Sequence, residues 1–360
     1  MLKKKKEMSL GKLNSLIMIA VLALAAVSCK DDDETPATPQ LSGLTFSCPS
    51  FVSPKEWVTI TPKGLVPPED GVYGIYFKVT PTMSWTDTTR YLNGLDNRDE
   101  SKGKPSDGTK VFQFSDTLGT YTVTFYAFSP GYAGDSYSKE VTVVKAGLDG
   151  SLTGTGIKAS DKHITAGDTD YYYTRVGSLD WMRNNLSSRD GGAPFANHDV
   201  MSGVFGRYYS HEDALNACPE GWRLPSEADW VGLGKALGDG QAKPMAPIAD
   251  VAAKLMADVS FNGVQMWEYW PEVGDITDAS GLAVIPAGFA NLGLRQDDSY
   301  PQASFEGLNE YAAFWTADKV DGEEGMAYYR YLVVDQPDLF VGKGDARSFG
   351  ASVRCVRDAE

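Results

Sequence analysis

The sequence predicts a multi-domain chain in which an all-β sandwich is followed by an α+β domain. Three observations lead there: strand-like segments separated by turn residues fill residues 41–145, a glycine-rich stretch follows, and helical patterns enter only beyond it. With 360 residues the chain also exceeds what one core usually holds.

The first residues read as an address. Lys3 to Lys6 precede an apolar run from Leu16 to Val27, and Ser28-Cys29-Lys30-Asp31-Asp32-Asp33-Glu34 follows. A basic start, a short apolar run and small residues before a cysteine describe an export signal that is removed. A transmembrane anchor would need roughly 20 apolar residues, and this run is far shorter. Ala26-Val27-Ser28-Cys29 resembles a bacterial lipobox, with Ala26 where leucine is usual, which implies a diacylglycerol thioether on Cys29. The acidic run after it resembles the tag that sends lipoproteins of Bacteroidota to the cell surface; it would also suit a plain solvated tether. The expectation is a lipid-anchored outer-membrane protein facing the cell exterior, with residues 1–28 as signal and 29–40 as an acidic tether too polar to fold.

Charge narrows the partners. Removing residues 1–28 takes away five lysines and one glutamate and moves the formal charge from −15 to −19. Such a surface does not attract nucleic acid or anionic head groups, so the membrane is reached through the lipid alone.

Residues 41–145 carry the sandwich. Val72 to Val79, Val111 to Phe114, Tyr121 to Phe128 and Val141 to Val144 are rich in β-branched and aromatic residues, with Pro-Gly, Asp-Gly and Asn-Gly pairs between them. Gly119-Thr120-Tyr121-Thr122-Val123 resembles immunoglobulin-like and PKD-like modules, in which a tyrosine closes the corner entering the penultimate strand. Residues 146–160, with Gly147, Gly150, Gly154 and Gly156 among Ser and Thr, read as a flexible linker.

Of the four cysteines, Cys29 is consumed by the lipid. Cys48 closes the alternation Leu44-Thr45-Phe46-Ser47-Cys48, the pattern of a half-buried strand, and reads as an inert thiol. Cys218 and Cys355 remain as a pair.

In residues 161–360 two helices are expected, a short one over His211 to Ala217 and a better-marked one that Ser226 caps ahead of Glu227 and Asp229. Helices among short strands give an α+β domain. Its motifs are specific: Leu179-Asp180-Trp181-Met182-Arg183-Asn184-Asn185-Leu186, Gly206-Arg207-Tyr208-Tyr209, Ala217-Cys218-Pro219-Glu220-Gly221-Trp222-Arg223-Leu224-Pro225-Ser226, Ile285-Pro286-Ala287-Gly288-Phe289, Tyr311-Ala312-Ala313-Phe314-Trp315-Thr316 and Ser352-Val353-Arg354-Cys355-Val356-Arg357-Asp358. In this order they resemble the Fibrobacter succinogenes major paralogous domain from about Lys162 to Asp358. The resemblance implies a C-type lectin-like fold in which a cysteine at the end of the first helix is bridged to one in the last strand. Cys218 and Cys355 fit those places, and the loop they close is worth roughly 5 kcal/mol in the chain-entropy model. Trp181, Trp222, Leu224, Trp230, Phe289 and Trp315 are expected in the core.

No enzyme signature is present: there is no Gly-x-Ser-x-Gly, no His-Glu-x-x-His, no phosphate-binding glycine loop and no Cys-x-x-Cys. Carboxylate pairs for glycoside hydrolysis are defined by separation in space, so the sequence leaves them open. Formylglycine-generating enzymes use a related scaffold but depend on closely placed reactive cysteines. His211-Glu212-Asp213 reads as a solvated helix face rather than a metal site, because adjacent helical positions diverge. Gln336-Pro337-Asp338 copies the calcium and sugar motif of galactose-type lectins, but its partner Trp-Asn-Asp segment is missing and a turn is expected. No metal or cofactor is expected.

The candidate ligand surface is Met266-Trp267-Glu268-Tyr269-Trp270-Pro271-Glu272, where rings to stack on sugars stand beside carboxylates to bind hydroxyls. Trp267, Glu268, Tyr269 and Trp270 are its proposed contacts, and Asn291, Arg295, Asp297, Asp298 and Tyr300 form a second polar loop, from which Asn291 and Asp297 are added. The functional expectation is binding of an extracellular ligand, with a glycan leading, a protein partner in adhesion or assembly second, and a carbohydrate-active enzyme third.

Overall fold

A computed structural model describes residues 37–68, 73–81, 109–188, 190–297 and 299–359. Cys29, with the expected signal and most of the tether, lies outside these residues. In the N-terminal region the strands are β1 (Phe51–Val52), β2 (Trp57–Ile60), β3 (Gly74–Thr80), β4 (Lys110–Gln113), β5 (Gly119–Phe128) and β6 (Asp135–Val143). One sheet runs β1-β6-β5-β3, with β1 parallel to β6 and the rest antiparallel, while β2 and β4 form a separate two-stranded sheet. Period-two alternation turns Tyr121, Val123, Phe125 and Ala127 of β5 inward, where they meet Phe46, Val58, Ile60 and Phe112. The Tyr121 hydroxyl donates to Thr117 O at 3.0 Å, fixing the chain as it enters β5.

Leu44 to Cys48 is not the strand expected. Its one ladder contact is a bridge between Thr45 and Lys63. Gly43 and Gly64 cause this: both are left-handed (φ 86° and 78°), and a Cβ on Gly43 would lie 2.4 Å from Gly64 O. The alternation still buries Leu44 and Phe46. Cys48 is a free, half-buried thiol whose pKa burial raises, against a smaller opposing pull from Lys139.

The glycine-rich stretch expected to be a flexible linker carries fixed structure instead. Ser151 N donates to Lys145 O and its Oγ accepts from Lys145 N, closing a turn. Leu152–Thr153, β7, then pairs with Ser260–Phe261, and Asn262 donates through its backbone to Ser151 O and through Nδ2 to Val143 O. Val144 joins the C-terminal core and Phe51 packs edge-on against Phe195. Glycines here permit tight turns that short polar side chains then lock, which composition alone reads as looseness. The described residues from 39 onward accordingly form one compact unit.

Beyond β7 come β8 (His163–Ala166), β9 (Thr169–Val176), β10 (Leu179–Met182), β11 (Ala193–Pro194), α1 (Ser202–Phe205), β12 (Arg207–Tyr208), α2 (His211–Ala217), α3 (Glu227–Ala236), α4 (Ala252–Leu255), β13 (Ser260–Phe261), β14 (Val264–Gln265), β15 (Phe289–Asn291), β16 (Ser304–Glu306), β17 (Tyr311–Lys319), β18 (Met326–Val333), β19 (Phe340–Asp345), β20 (Phe349–Gly350) and β21 (Val356–Asp358). Both expected helices are present. Ser210 Oγ accepts from Asp213 N at the start of α2, and Ser226 and Asp229 form a reciprocal capping box on α3. The sheet β21-β10-β9-β8 sets the last strand beside an early one. In the sheet β17-β18-β19, Ala312 and Phe314 face a large core with Trp181, Trp230 and Leu332, while Ala313 and Trp315 face a smaller one with Trp222 and Cys355.

Two buried features tie these layers. Cys218 and Cys355 are bonded across 137 residues, with Cα atoms 5.9 Å apart. Glu227, expected only as a favourable charge in the first turn of α3, is buried and clasps the fully buried Arg330 of β18 through both oxygens. Arg330 Nη1 also donates to Ala246 O, and Glu227 Oε2 accepts from Met245 N. Removing one partner leaves the other charge stranded, so Glu227→Gln is expected to cost about 3–5 kcal/mol, read by urea denaturation. Peptide mapping without reduction should return the Cys218 and Cys355 peptides linked, and Cys218→Ser should cost about 2–5 kcal/mol.

Candidate binding surface

The loop after β14 divides its aromatics between two roles. Met266 N donates to Val259 O, and Trp267 is buried with Nε1 donating to Val284 O at 3.2 Å. Trp267 is therefore an anchor and not a ligand contact, which corrects the sequence expectation: its ring fills the core beneath the loop. Past it the chain surfaces. Tyr269 is 65% exposed and Trp270 36%, with Glu268 and Glu272 exposed beside them in sequence. Trp270 O accepts from the backbone N–H groups of Val273 and Gly274, closing a turn. The loop then returns to α4, where Ala253 O accepts from Thr277 and Asp278, and Lys254 O from Ser280. The base is rigid and the aromatic tip is open.

Asp278 is the electrostatic oddity of this loop. Desolvation raises its pKa to about 6, against a hydrogen bond from Ala283 N and the charges of Arg183 and Arg354.

Asn291 and Asp297 belong to a different anchoring system. Asn291 Oδ1 accepts from Gly293 N, and Arg295 Nε donates to Asp297 O. Arg295 Nη1 and the Tyr300 hydroxyl both reach Asp213 of α2, each at 2.6 Å. These polar groups fold their own loop onto α2 and share no hydrogen bond with the Trp270 loop among the described residues. Asp297 is exposed at φ 52°; Asp298 lies outside the described residues. One other expectation changes here. His211 is not on a solvated face: it is fully buried, its Nε2 donates to Thr316 O, and its ring meets Trp315 edge-on. Burial lowers its pKa, so it stays neutral. Glu212 pairs with Arg347 and Asp213 with Arg295, so the three side chains diverge. Gln336-Pro337-Asp338 makes the turn between β18 and β19, with Pro337 O accepting from Ala252 N and Asp338 Oδ1 from Asp250 N.

Two neighbouring depressions fall where no sequence motif marks them. A depression of about 640 Å³ is lined by Thr169, Ser187, Ser188, Asp199, Ser202 and Asn216, among others, and a neighbouring one of about 430 Å³ follows the junction past Lys145 and Leu148. The lining residues come from separated segments, so no local motif announces them.

Strands dominate, the helices are few and short, and the described residues of 41–143 close on a core of their own within the compact unit, as in a β-rich, multi-domain protein. Residues 174–357, just over half of the chain, match the Fibrobacter succinogenes major domain, and the chain belongs to that family. No curated protein and no solved structure matches it. Within the matched residues Trp181, Trp222, Trp230 and Trp315 are buried as expected, and Phe289 is half-buried.

Asp278 sets a pH dependence with a definite sign. Because its folded pKa lies above the unfolded value of about 3.9, the folded state binds the proton more tightly. Its contribution is full below pH 4 and is lost as pH rises through 6. Asp278→Asn, which keeps the acceptor for Ala283 N, should melt higher than the wild type at pH 7.5, with the difference closing toward pH 4.

Proposed function

We propose that this chain is an outer-membrane lipoprotein, anchored through Cys29 and facing the cell exterior, whose C-terminal domain binds a glycan. The observation that carries the reading is the loop after Trp267, where exposed Tyr269 and Trp270 stand with Glu268 and Glu272 on a base pinned to α4. Aromatic faces stack on pyranose rings, carboxylates accept from sugar hydroxyls, and a fixed base lowers the ordering cost of binding. The anchor reading rests on Lys3 to Lys6, the short apolar run and Cys29.

In this reading the N-terminal region is an immunoglobulin- or PKD-like spacer, which the Tyr121 hydroxyl bond to Thr117 O supports as a tyrosine corner. The C-terminal domain is C-type lectin-like, supported by the disulfide from the end of α2 to the segment entering β21. The work is recognition, so no group needs activation, and the membrane is met only through the lipid.

A glycan array probed with the protein tests the loop. Trp270→Ala and Tyr269→Ala should each weaken glycan binding about three- to tenfold without loss of fold. Trp267→Ala should instead lower stability by about 3–5 kcal/mol. Unchanged glycan binding by both exposed variants would remove the loop from the reading. Cys29→Ser should release the protein from the membrane fraction; retention there would reject the anchor.

A further inference from the structure

A second aromatic surface lies on the strands, away from the Trp270 loop. The face of β17-β18-β19 opposite Phe314 and Leu332 holds the smaller core around Ala313 and Trp315, and at the half-buried margin of that core it carries Tyr311, Tyr329, Tyr331 and Phe340, with Phe289 of β15 and Phe349 of β20 adjoining. All six rings are half-buried. They touch in a closed circuit: Tyr311 to Tyr331 at 6.5 Å between ring centroids, Tyr331 to Tyr329 at 5.5 Å, Tyr329 to Phe349 at 4.6 Å, Phe349 to Phe289 at 5.6 Å and Phe289 to Tyr311 at 5.9 Å. Phe340 extends it, stacked on Tyr331 at 5.5 Å.

The backbone is shaped for this surface. A Cβ on Gly342 would lie 2.4 Å from Tyr329 Cζ, and one on Gly344 would lie 2.7 Å from Phe349 Cδ1. Only glycine lets those rings lie across β19. No described residue hydrogen-bonds the hydroxyls of Tyr311, Tyr329 or Tyr331. Burial, with Tyr331 and Tyr311 close by, raises the pKa of Tyr329, so its hydroxyl remains a neutral donor.

Strand register supplies a polar rim. Asn291 stands opposite Phe349, Glu306 opposite Phe289 and Ser304 opposite Asn291, and all three are exposed. Positive charge is kept off the rings: Lys343 alternates to the other side of β19 and pairs with Glu323, and Arg347 pairs with Glu212. With a formal charge of −15 on the whole chain, an anionic polymer does not suit this face.

We propose that this face binds a neutral polysaccharide, its rings stacking on successive pyranoses while the tyrosine hydroxyls, Asn291, Ser304 and Glu306 bond the sugar hydroxyls. The inference stands apart from the Trp270 loop. Affinity electrophoresis of the full chain tests it, in native gels containing mixed-linkage β-glucan, xylan, galactomannan or dextran, with heparin as the polyanionic comparison. At least one neutral polysaccharide should retard the protein. Tyr331→Ala and Phe340→Ala should each weaken that retardation about three- to tenfold, and Val264→Ala, at an exposed position on β14, should leave it unchanged. Tyr331→Phe keeps the ring, so a weaker retardation at an unchanged melting temperature separates hydroxyl recognition from loss of fold. The proposal is overturned if no neutral polysaccharide retards the chain, if heparin alone does, or if Tyr331→Ala and Phe340→Ala migrate as the wild type does. Loss confined to Trp270→Ala would also overturn it, and would leave the loop reading standing.

Discussion

Arg354 is the residue on which the C-terminal domain depends. A guanidinium taken wholly out of water costs several kcal/mol unless every donor is answered. Here Nε donates to Asn185 Oδ1, Nη1 to the carbonyls of Met182, Arg183 and Leu282, and Nη2 to that of Ala283. Asn185 passes the constraint on, donating to Phe205 O and Ser352 Oγ. One side chain thus joins β10, the segment after the Trp270 loop, the end of α1 and the chain entering β21. Any other packing of these four would strand the charge. The residue after it, Cys355, is covalently held to the end of α2.

That arrangement explains how a domain of short strands can carry exposed loops. The rigid parts are the buried charges and the large aromatics: Trp181 against Trp230 and Trp315 against His211, Tyr329 and Phe349. Asp278 sits between the two regimes, since its loop is exposed while its carboxyl feels Arg183 and Arg354 from below. Tyr269 and Trp270 belong to no buried cluster, whereas Trp267 is part of the core and Asp278 feels the buried Arg354.

What could be read from the sequence was what is encoded locally. Ser226 and Asp229 sit three residues apart and cap α3 as that spacing requires, and alternation in Tyr121 to Phe128 gave a strand facing its core. Long-range partners had no such signature. Glu227 and Arg330 lie 103 residues apart, and nothing near either announces a buried pair. Trp267 and Trp270 are three residues apart and chemically alike, yet one is core and the other surface, because burial depends on what lies beneath the loop. The aromatic face was partly written as alternation, in Tyr329 and Tyr331 and in Phe340, Gly342 and Gly344, but its closure needs Phe289 and Phe349 from other strands. The same limit applies to residues 146–160, where glycine content suggested looseness and Asn262, far along the chain, supplied the lock.

The sheet that ends the domain has one more implication. Trp181 is flanked in register by Thr174 on one side and Val356 on the other, so the limits of the family match, residues 174 and 357, fall on strands that sandwich a single neighbour. At about 4.8 Å per strand spacing, those two limits are roughly 10 Å apart. The shared signature therefore starts in the middle of β9 and closes two strands away, while β8 and β7, which precede it, still pair with β9 and β13, so the fold reaches further back along the chain than the signature that marks it.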